Sequence, residues 1–288
     1  MTNILSGRDI AQKIIDENLK PRVEKLKKKS LPSTPIGGIQ PKLVVILIGE
    51  HPASASYVKQ KEKFAAQAGI ISDVRRFDTS ITEADVLKEI EGINNDDAIH
   101  GVIVQLPIPD HISVEKVLRK IDPRKDVDGF TPTNVGKLFL GEECLQSCTP
   151  KGIIMMLDSA GVKIEGKNAV VIGRSNIVGK PISGLLINRN ATVTTCHRHT
   201  SNLDEHLKNA DILVVAVGKP KFITGDKLKK GCVVIDVGIN RQEDGTLCGD
   251  VDFESAKDVA SLITPVPGGV GPMTVVSLIE NTIKSAEA

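Results

Sequence analysis

Apolar residues fall along this chain in two alternating kinds of run. LVVILIG (Leu43 to Gly49), GVIVQLPIP (Gly101 to Pro109), Asn168 to Ile172, ATVTTC (Ala191 to Cys196), DILVVAVG (Asp211 to Gly218) and CVVIDVG (Cys232 to Gly238) are short, continuous and rich in Val and Ile. Such runs predict strands, most of them buried on both faces. SDVRRFD (Ser72 to Asp78) predicts one more. Between them apolar residues recur at helical spacing. Gly7 to Lys29 carries Ile10, Ile14, Val23 and Leu26 on one stripe. Ser54 to Ile70, Thr82 to Asn95, Val114 to Ile121, Val178 to Arg189 and Met273 to Ala288 also predict helices, as does Thr200 to Ala210 with Thr200 or Ser201 as cap. Strands alternating with helices argue for an α/β protein built on parallel sheets.

The punctuation suggests two domains. LPSTPIGGIQP (Leu31 to Pro41) reads as a surface loop, and the Gly/Thr/Pro-rich stretch Asp126 to Pro150 joins two α/β halves, with a short helical piece over Val135 to Leu140. The expected division is a catalytic, substrate-binding domain over 1–147 plus the last helix, 273–288, and a Rossmann-type dinucleotide-binding domain over 148–272, with a cleft between them. A length of 288 residues suits two domains, and 40% hydrophobic with 25% charged residues is ordinary for a globular chain.

Net charge is +1, with one Tyr and no Trp, so neither a basic field nor stacking platforms call for nucleic acid. No apolar run is long enough for a membrane span, and MTNILSGRDI lacks a signal core. Five scattered cysteines fit reduced thiols in the cytoplasm. Cys196, His197 and His199 sit close in sequence, but neighbouring residues at a strand end point opposite ways and no CxxC accompanies them, so no metal is expected.

The stretch VVIGRSNIVGKP (Val170 to Pro181) reads as strand, glycine turn and helix. Its pattern is G-x-S-x-x-x-G-x-P, with Gly173, Ser175, Gly179 and Pro181. Gly173 allows a tight turn, Gly179 a close approach, and Pro181 suits a first helical turn. A structural turn without ligand stands as the alternative. An NAD site usually puts an acid about 20 residues past the glycines. Here the second strand ends in Cys196, His197, Arg198 and His199. Arg198 and Arg174, both planar forks, suit a 2′-phosphate and hence NADP. The alternative is that Arg198 is a solvated loop charge.

Several polar residues interrupt apolar surroundings. Tyr57 and Lys61 lie four apart on the Ser54 to Ile70 helix, on one face with Phe64, Ala65 and Ala68, whereas Lys59 and Lys63 fall on solvated faces. Desolvation of Lys61 would favour a neutral amine fit for proton transfer; the alternative is that it snorkels to the surface. Gln105 ends an apolar strand, where open parallel sheets bind ligands. KDVDGF (Lys125 to Phe130) supplies Asp126 and Asp128 ahead of a glycine, as a plain turn or as a carboxylate for the paired N–H groups of a heterocycle. TPVPGGVGPMT (Thr264 to Thr274) reads as a rigid approach to a flat ligand or as a helix-entry loop.

SASYVKQK (Ser54 to Lys61), GVIVQLPIP, KDVDGF, CTPKG (Cys148 to Gly152), VVIGRSNIVGKP, DVGINR (Asp236 to Arg241), GDVDF (Gly249 to Phe253) and TPVPGGVGPMT occur in one order over nearly the whole chain. In this the chain resembles the bifunctional methylenetetrahydrofolate dehydrogenase/methenyltetrahydrofolate cyclohydrolase family, the FolD type. The resemblance implies two activities: NADP-dependent oxidation of 5,10-methylenetetrahydrofolate to the methenyl compound, and hydrolysis of that compound to 10-formyltetrahydrofolate. It implies a homodimer, with the nucleotide domains in contact. By position Lys61 matches the catalytic lysine, Gln105 the glutamine that tunes it, Tyr57 the tyrosine that packs on the folate and Asp128 the carboxylate that holds the pterin. Leu106, Pro267, Gly268 and Gly269 join them in substrate binding. Cofactor binding falls to Gly173, Arg174, Ser175, Val178, Gly179, Pro181, His197, Arg198, Thr200, Val217, Gly218, Gly238 and Ile239.

There are two departures. The family often has serine where Arg198 stands. Arginine there also resembles relatives that use NAD with magnesium and phosphate, which leaves an NAD-dependent or a monofunctional dehydrogenase as the alternative. The loop Leu31 to Pro41 is longer than usual. Tyr57-x-x-x-Lys61 with PGGVGPMT speaks against a dehydrogenase of shikimate-like acids. The intact set of chemistry-bearing residues speaks against a non-catalytic binding module.

Overall fold

The computed structural model describes residues 3–29, 38–49 and 52–288, with the side chains of 52–56 outside the description. The chain runs through β1 (Asn3–Ile4), α1 (Gly7–Ile14), a π-helical stretch (Ile15–Leu19), α2 (Lys20–Lys28), β2 (Lys42–Ile48), α3 (Pro52–Ala68), β3 (Ile71–Phe77), α4 (Glu83–Asn94) and β4 (Gly101–Val104). It continues through α5 (Val114–Lys120), α6 (Pro132–Leu140), α7 (Cys148–Ser159), β5 (Asn168–Ile172), α8 (Gly179–Asn188), β6 (Thr192–Cys196), α9 (Leu203–Asn209) and β7 (Ile212–Val215). A 3-10 turn (Gly225–Lys227), β8 (Val233–Asp236), β9 (Asn240–Arg241), β10 (Leu247–Cys248), α10 (Phe253–Ala256), β11 (Leu262–Ile263) and α11 (Val270–Glu287) complete it. Contacts divide the chain into two compact units, one of residues 12–137, 143–148 and 275–288, the other of 1–11, 138–142 and 149–274.

The first unit is built on three parallel strands in the order β3-β2-β4. Val44, Ile46 and Ile48 of β2 pack with Val102 and Val104 of β4 and with Val86, Ile90 and Ile93 of α4. Thr82 caps α4, its hydroxyl accepting the Asp85 N–H at 3.2 Å. β3 is an edge strand and less buried. Its Arg75 forms ion pairs with Asp73 and Glu89.

The helix expected over Gly7 to Lys29 is interrupted by the π-helical stretch, where the Lys20 N–H reaches back five residues to the Ile15 carbonyl. Pro21 follows at once and has no N–H to give, so the widened turn accommodates a residue that would otherwise break the ladder. The strand expected over Gly101 to Pro109 stops at Val104, because the prolines beyond Leu106 cannot donate to a ladder. Of the loop Leu31 to Pro41, residues 31–37 lie outside the described residues. Gly38 and Ile39 donate back to the carbonyls of Lys27 and Leu26.

The second unit holds a six-stranded sheet, β1-β11-β8-β7-β5-β6, in which every pairing is parallel. Leu213, Val215, Val234 and Ile263 fill its core with Leu207, Ile223 and Ala256. Residues 3–11, expected with the first domain, lie in this unit because β1 pairs with β11. Helix α7 is a further difference. Its residues 148–150 were expected in the joining segment, where Gly, Thr and Pro mask the helical signal. Gly152 is needed there, since a Cβ would stand 2.9 Å from the Met273 carbonyl. The cap of α9 is Asn202, in left-handed conformation, rather than Thr200 or Ser201. Thr200 instead accepts the His197 N–H at 2.8 Å and closes the turn before it. Among the described residues no helix is long and apolar enough to cross a membrane.

Asn281 of α11 is fully buried and donates to the carbonyls of Val127 at 2.9 Å and Gln146 at 2.8 Å. Replacing Asn281 by Leu leaves both carbonyls without that donor. The expected loss is roughly 2–4 kcal/mol of unfolding free energy, read as a lowered urea midpoint of the first unit.

Candidate active site

In the first unit four predicted residues come from three segments. On α3 the buried stripe is Val58, Lys61, Ala65 and Ala68, and Lys61 is only 9% exposed. A buried ammonium needs an acceptor, and Lys61 Nζ donates to Gln105 Oε1 at 2.9 Å. Gln105 is oriented in turn. Its backbone N–H continues the pairing to the Ile46 carbonyl, and its Nε2 donates to the Leu106 carbonyl at 2.8 Å. Lys61 therefore does not snorkel. Lys59 and Lys63 are exposed.

The segment after α5 brings in the carboxylate. Val102 of β4 pairs with Asp126, and the Val102 N–H donates to the Lys125 carbonyl. The two aspartates of KDVDGF then divide the work. Asp126 is the turn residue, accepting from the N–H groups of Phe130 and Thr131 and from Asn134 Nδ2. Asp128 faces Lys61 and the Cys148 side chain instead. Burial holds its carboxyl above the usual carboxylate range, while the Lys61 ammonium pulls it down. Lys125 is anchored away from this site, donating to the carbonyls of Ile93 and Asp96 at the end of α4. Tyr57, one turn before Lys61 on α3, is 36% exposed, with burial raising its phenol. Half-buried Leu106 follows Gln105.

In the second unit the glycine turn after β5 is tightly built. Gly173 has φ +125°, and a Cβ there would stand 2.3 Å from the Ala216 carbonyl oxygen. A Cβ on Gly179 would stand 2.2 Å from the Gly173 carbonyl oxygen. The Ser175 hydroxyl accepts from Val178 N and Gly179 N, so Ser175 closes the start of α8, and Pro181 lies in the first turn. Arg174 and Arg198 are both exposed. Among the described residues neither forms an ion pair; the Arg198 Nε meets His199 Nε2 at 3.0 Å. The turn from His197 to Thr200 is closed by their paired backbone and hydroxyl contacts. A cradle that a side chain would fill, with two unpaired guanidiniums, fits a dinucleotide phosphate.

Two carboxylates within the sequence motifs, to which local spacing assigns no role, organise the rest of this unit. Asp236, at the end of β8, accepts from the N–H groups of Gly238, Asp250 and Val251. Asp250 accepts from those of Val217, Gly218 and Lys219 and from Asn240 Nδ2. Gly238 and Gly249 answer to them, since a Cβ at either would run into the carboxylate of Asp250 or Asp236. The available signal was an apolar run ending in Asp, as in CVVIDVG, and the Gly-Asp pair of GDVDF. Ile239 is exposed. In the loop before α11 the Gly268 carbonyl accepts the Arg8 N–H at 3.0 Å, and Gly7 lies so close that a Cβ would overlap the Gly269 carbonyl oxygen. Pro267 is exposed beside them.

Comparison with known proteins agrees across the chain. Residues 5–128 match the model for the tetrahydrofolate dehydrogenase/cyclohydrolase catalytic domain, and residues 147–288 match the NAD(P)-binding domain of the same family. The bifunctional protein FolD of Bacillus subtilis is 54% identical over 284 residues, 99% of this chain and 97% of that protein. The crystal structure of the FolD methylenetetrahydrofolate dehydrogenase/cyclohydrolase of Campylobacter jejuni superposes with a TM-score of 0.95 at 46% identity, covering 100% of this chain and 99% of that one. The FolD of Trypanosoma brucei, solved with NADP and an inhibitor, gives 0.91 at 35% identity, covering 99% and 97%.

Burial pushes the Asp236 carboxyl from 3.8 up to about 6. The folded chain then holds this proton more tightly than the unfolded chain. The stabilisation is full below pH 3.8 and lost as pH rises through about 6. Asp236→Asn removes the titration. The variant's unfolding free energy relative to the parent should improve by roughly 2–3 kcal/mol between pH 4 and pH 7. Paired urea titrations check this, and a difference that does not vary with pH refutes it.

Proposed function

The chain belongs to the tetrahydrofolate dehydrogenase/cyclohydrolase family, and from that premise we propose how its own residues carry out the two reactions. It is a bifunctional enzyme that oxidises 5,10-methylenetetrahydrofolate to the methenyl compound with NADP and hydrolyses that product to 10-formyltetrahydrofolate. NADP, when bound, accepts the hydride of the methylene carbon. Two nitrogens flank that carbon and stabilise the cation left behind, so the first reaction asks the protein for placement rather than for a strong base.

The second reaction needs a proton carrier. Water adds to the methenyl carbon and loses a proton, giving a neutral hydroxyl adduct; the bond to N5 then breaks as N5 takes up a proton and the hydroxyl gives up its own, leaving the formyl group on N10. Lys61 handles these protons, and Gln105 Oε1 holds its Nζ in place. Asp128 accepts the paired N–H groups of the pterin, and Tyr57 packs against the folate. Leu106, Pro267, Gly268 and Gly269 complete the substrate contacts. The observation that carries this reading is the hydrogen bond of buried Lys61 to part-buried Gln105, with the Lys61 charge acting on the Asp128 carboxylate.

Gly173, Ser175, Val178, Gly179 and Pro181 hold the phosphates, and Arg174 and Arg198 hold the 2′-phosphate with His197 and Thr200 beside them. Val217, Gly218, Gly238 and Ile239 contact the rest of the cofactor. The enzyme works in the cytoplasm as a homodimer. Phe139, Leu140 and Ile187, exposed by 46%, 74% and 53%, support an interface on the second unit. Gly184, close to Phe139, ties α8 to the end of α6 there.

Lys61→Met should lower methenyl hydrolysis by about 10²–10⁴-fold while substrate still binds, followed optically as decay of the methenyl compound. Normal hydrolysis by that variant refutes the assignment. Arg174→Ala with Arg198→Ala should raise the KM for NADP at least ~10-fold and leave the KM for NAD unchanged. Parallel kinetics with both cofactors check this, and a parent enzyme that prefers NAD overturns it.

A further inference from the structure

The chain leaves β5 toward β6 and returns to the other side of β5 at β7, so the strand order reverses between β5 and β7. In open parallel sheets ligands bind where the order reverses, beyond the carboxyl ends of the strands. Two loops border that place, the glycine turn after β5 and residues 216–219 after β7. They touch, since Gly173 lies against the Ala216 carbonyl.

The loops differ in what they offer. Anions are held by backbone N–H groups that lack other acceptors. In the glycine turn the N–H groups of residues 174–177 have no acceptor among the described residues. After β7 the N–H groups of Val217, Gly218 and Lys219 all donate to the Asp250 carboxylate, at 2.7, 2.9 and 2.8 Å. The carbonyls of Ala216, Val217 and Gly218 accept no hydrogen bond among the described residues. The loop therefore presents acceptors, and a carboxylate lies behind it.

Asp250 is fully buried and fixed from both sides. Asn240 Nδ2 donates to its Oδ1 at 2.9 Å, and its own N–H donates to Asp236. Gly238 leaves the room its carboxylate fills. We infer that Asp250 is a positioning residue for the dinucleotide: it shapes residues 216–219 into a row of carbonyl acceptors that takes the hydroxyl- and amide-bearing nicotinamide riboside end and rejects phosphate. This deepens the proposed function and rests on it.

Asp250→Asn keeps the shape but turns an amide N–H₂ toward backbone donors, and Asn240→Ala removes one donor without exposing the carboxylate to another. Calorimetry should show NADP binding at least ~10-fold weaker in Asp250→Asn and ~2–5-fold weaker in Asn240→Ala. Adenosine 2′,5′-bisphosphate, which lacks the nicotinamide end, should bind both variants within about twofold of the parent. Methenyl hydrolysis without nucleotide should also stay within about twofold of the parent. Equal weakening of both nucleotides, or loss of hydrolysis in parallel, would reduce Asp250 to a fold-stabilising group and overturn the inference, as would unchanged NADP binding. If Asp250→Asn does not fold, Asn240→Ala decides by the same comparison. A parent chain that neither hydrolyses the methenyl compound nor binds NADP overturns the function itself, a pattern distinct from a selective loss.

Discussion

Parallel strands buried on both faces leave room for polar side chains only where the strands end. β2, β4, β5, β7 and β8 are such strands, and the polar groups of this protein are sorted accordingly. Gln105 stands just past β4, Gly173 just past β5, His197 just past β6, the 216–219 loop past β7, and Asp236 closes β8. Each is held by neighbours that the sheet places beside it. Polar groups gather at the carboxyl ends because the sheet excludes them elsewhere.

Burial then sets the terms on which each group exists. The Lys61 ammonium is 9% exposed and has Gln105 as its acceptor. The oxygens of Asp236 and Asp250 are met mainly by backbone N–H groups, so these carboxylates act as templates around which loops are laid. Asp126 does the same for the turn before α6. Asp128 is met instead by the Lys61 ammonium and the Cys148 side chain, and burial raises its carboxyl. An aspartate surrounded by N–H donors builds the fold; Asp128 faces a lysine instead, which supports the role proposed for it toward the substrate.

Glycine has a matching role. Gly173, Gly179, Gly238 and Gly249 are required by what approaches them, a carbonyl in the first two cases and a carboxylate in the others. The motifs they belong to are packing constraints as well as ligand signatures. Substituting any of them displaces the loop before it touches a ligand.

Much was legible along the chain. Continuous Val/Ile runs marked β2, β4, β5, β7 and β8, since a buried strand needs no polar face, and helical spacing marked α3, α4 and α8. Lys61 and Gln105 stood out as polar residues in apolar settings, and KDVDGF read as a plain turn or as a carboxylate for a heterocycle. Two-residue strands such as β1 and β11 carry too few positions for any periodicity, and they exist only because a sheet edge is there to pair with. Helix α7 begins with Cys-Thr-Pro-Lys-Gly, and only packing on Met273 explains its glycine. That Asp126 holds the turn before α6, and that Asp250 holds a loop some thirty residues away in sequence, were decided by tertiary structure alone. Local spacing reports which residues share a face of one element, whereas a hydrogen bond between distant segments depends on where the whole chain has brought them.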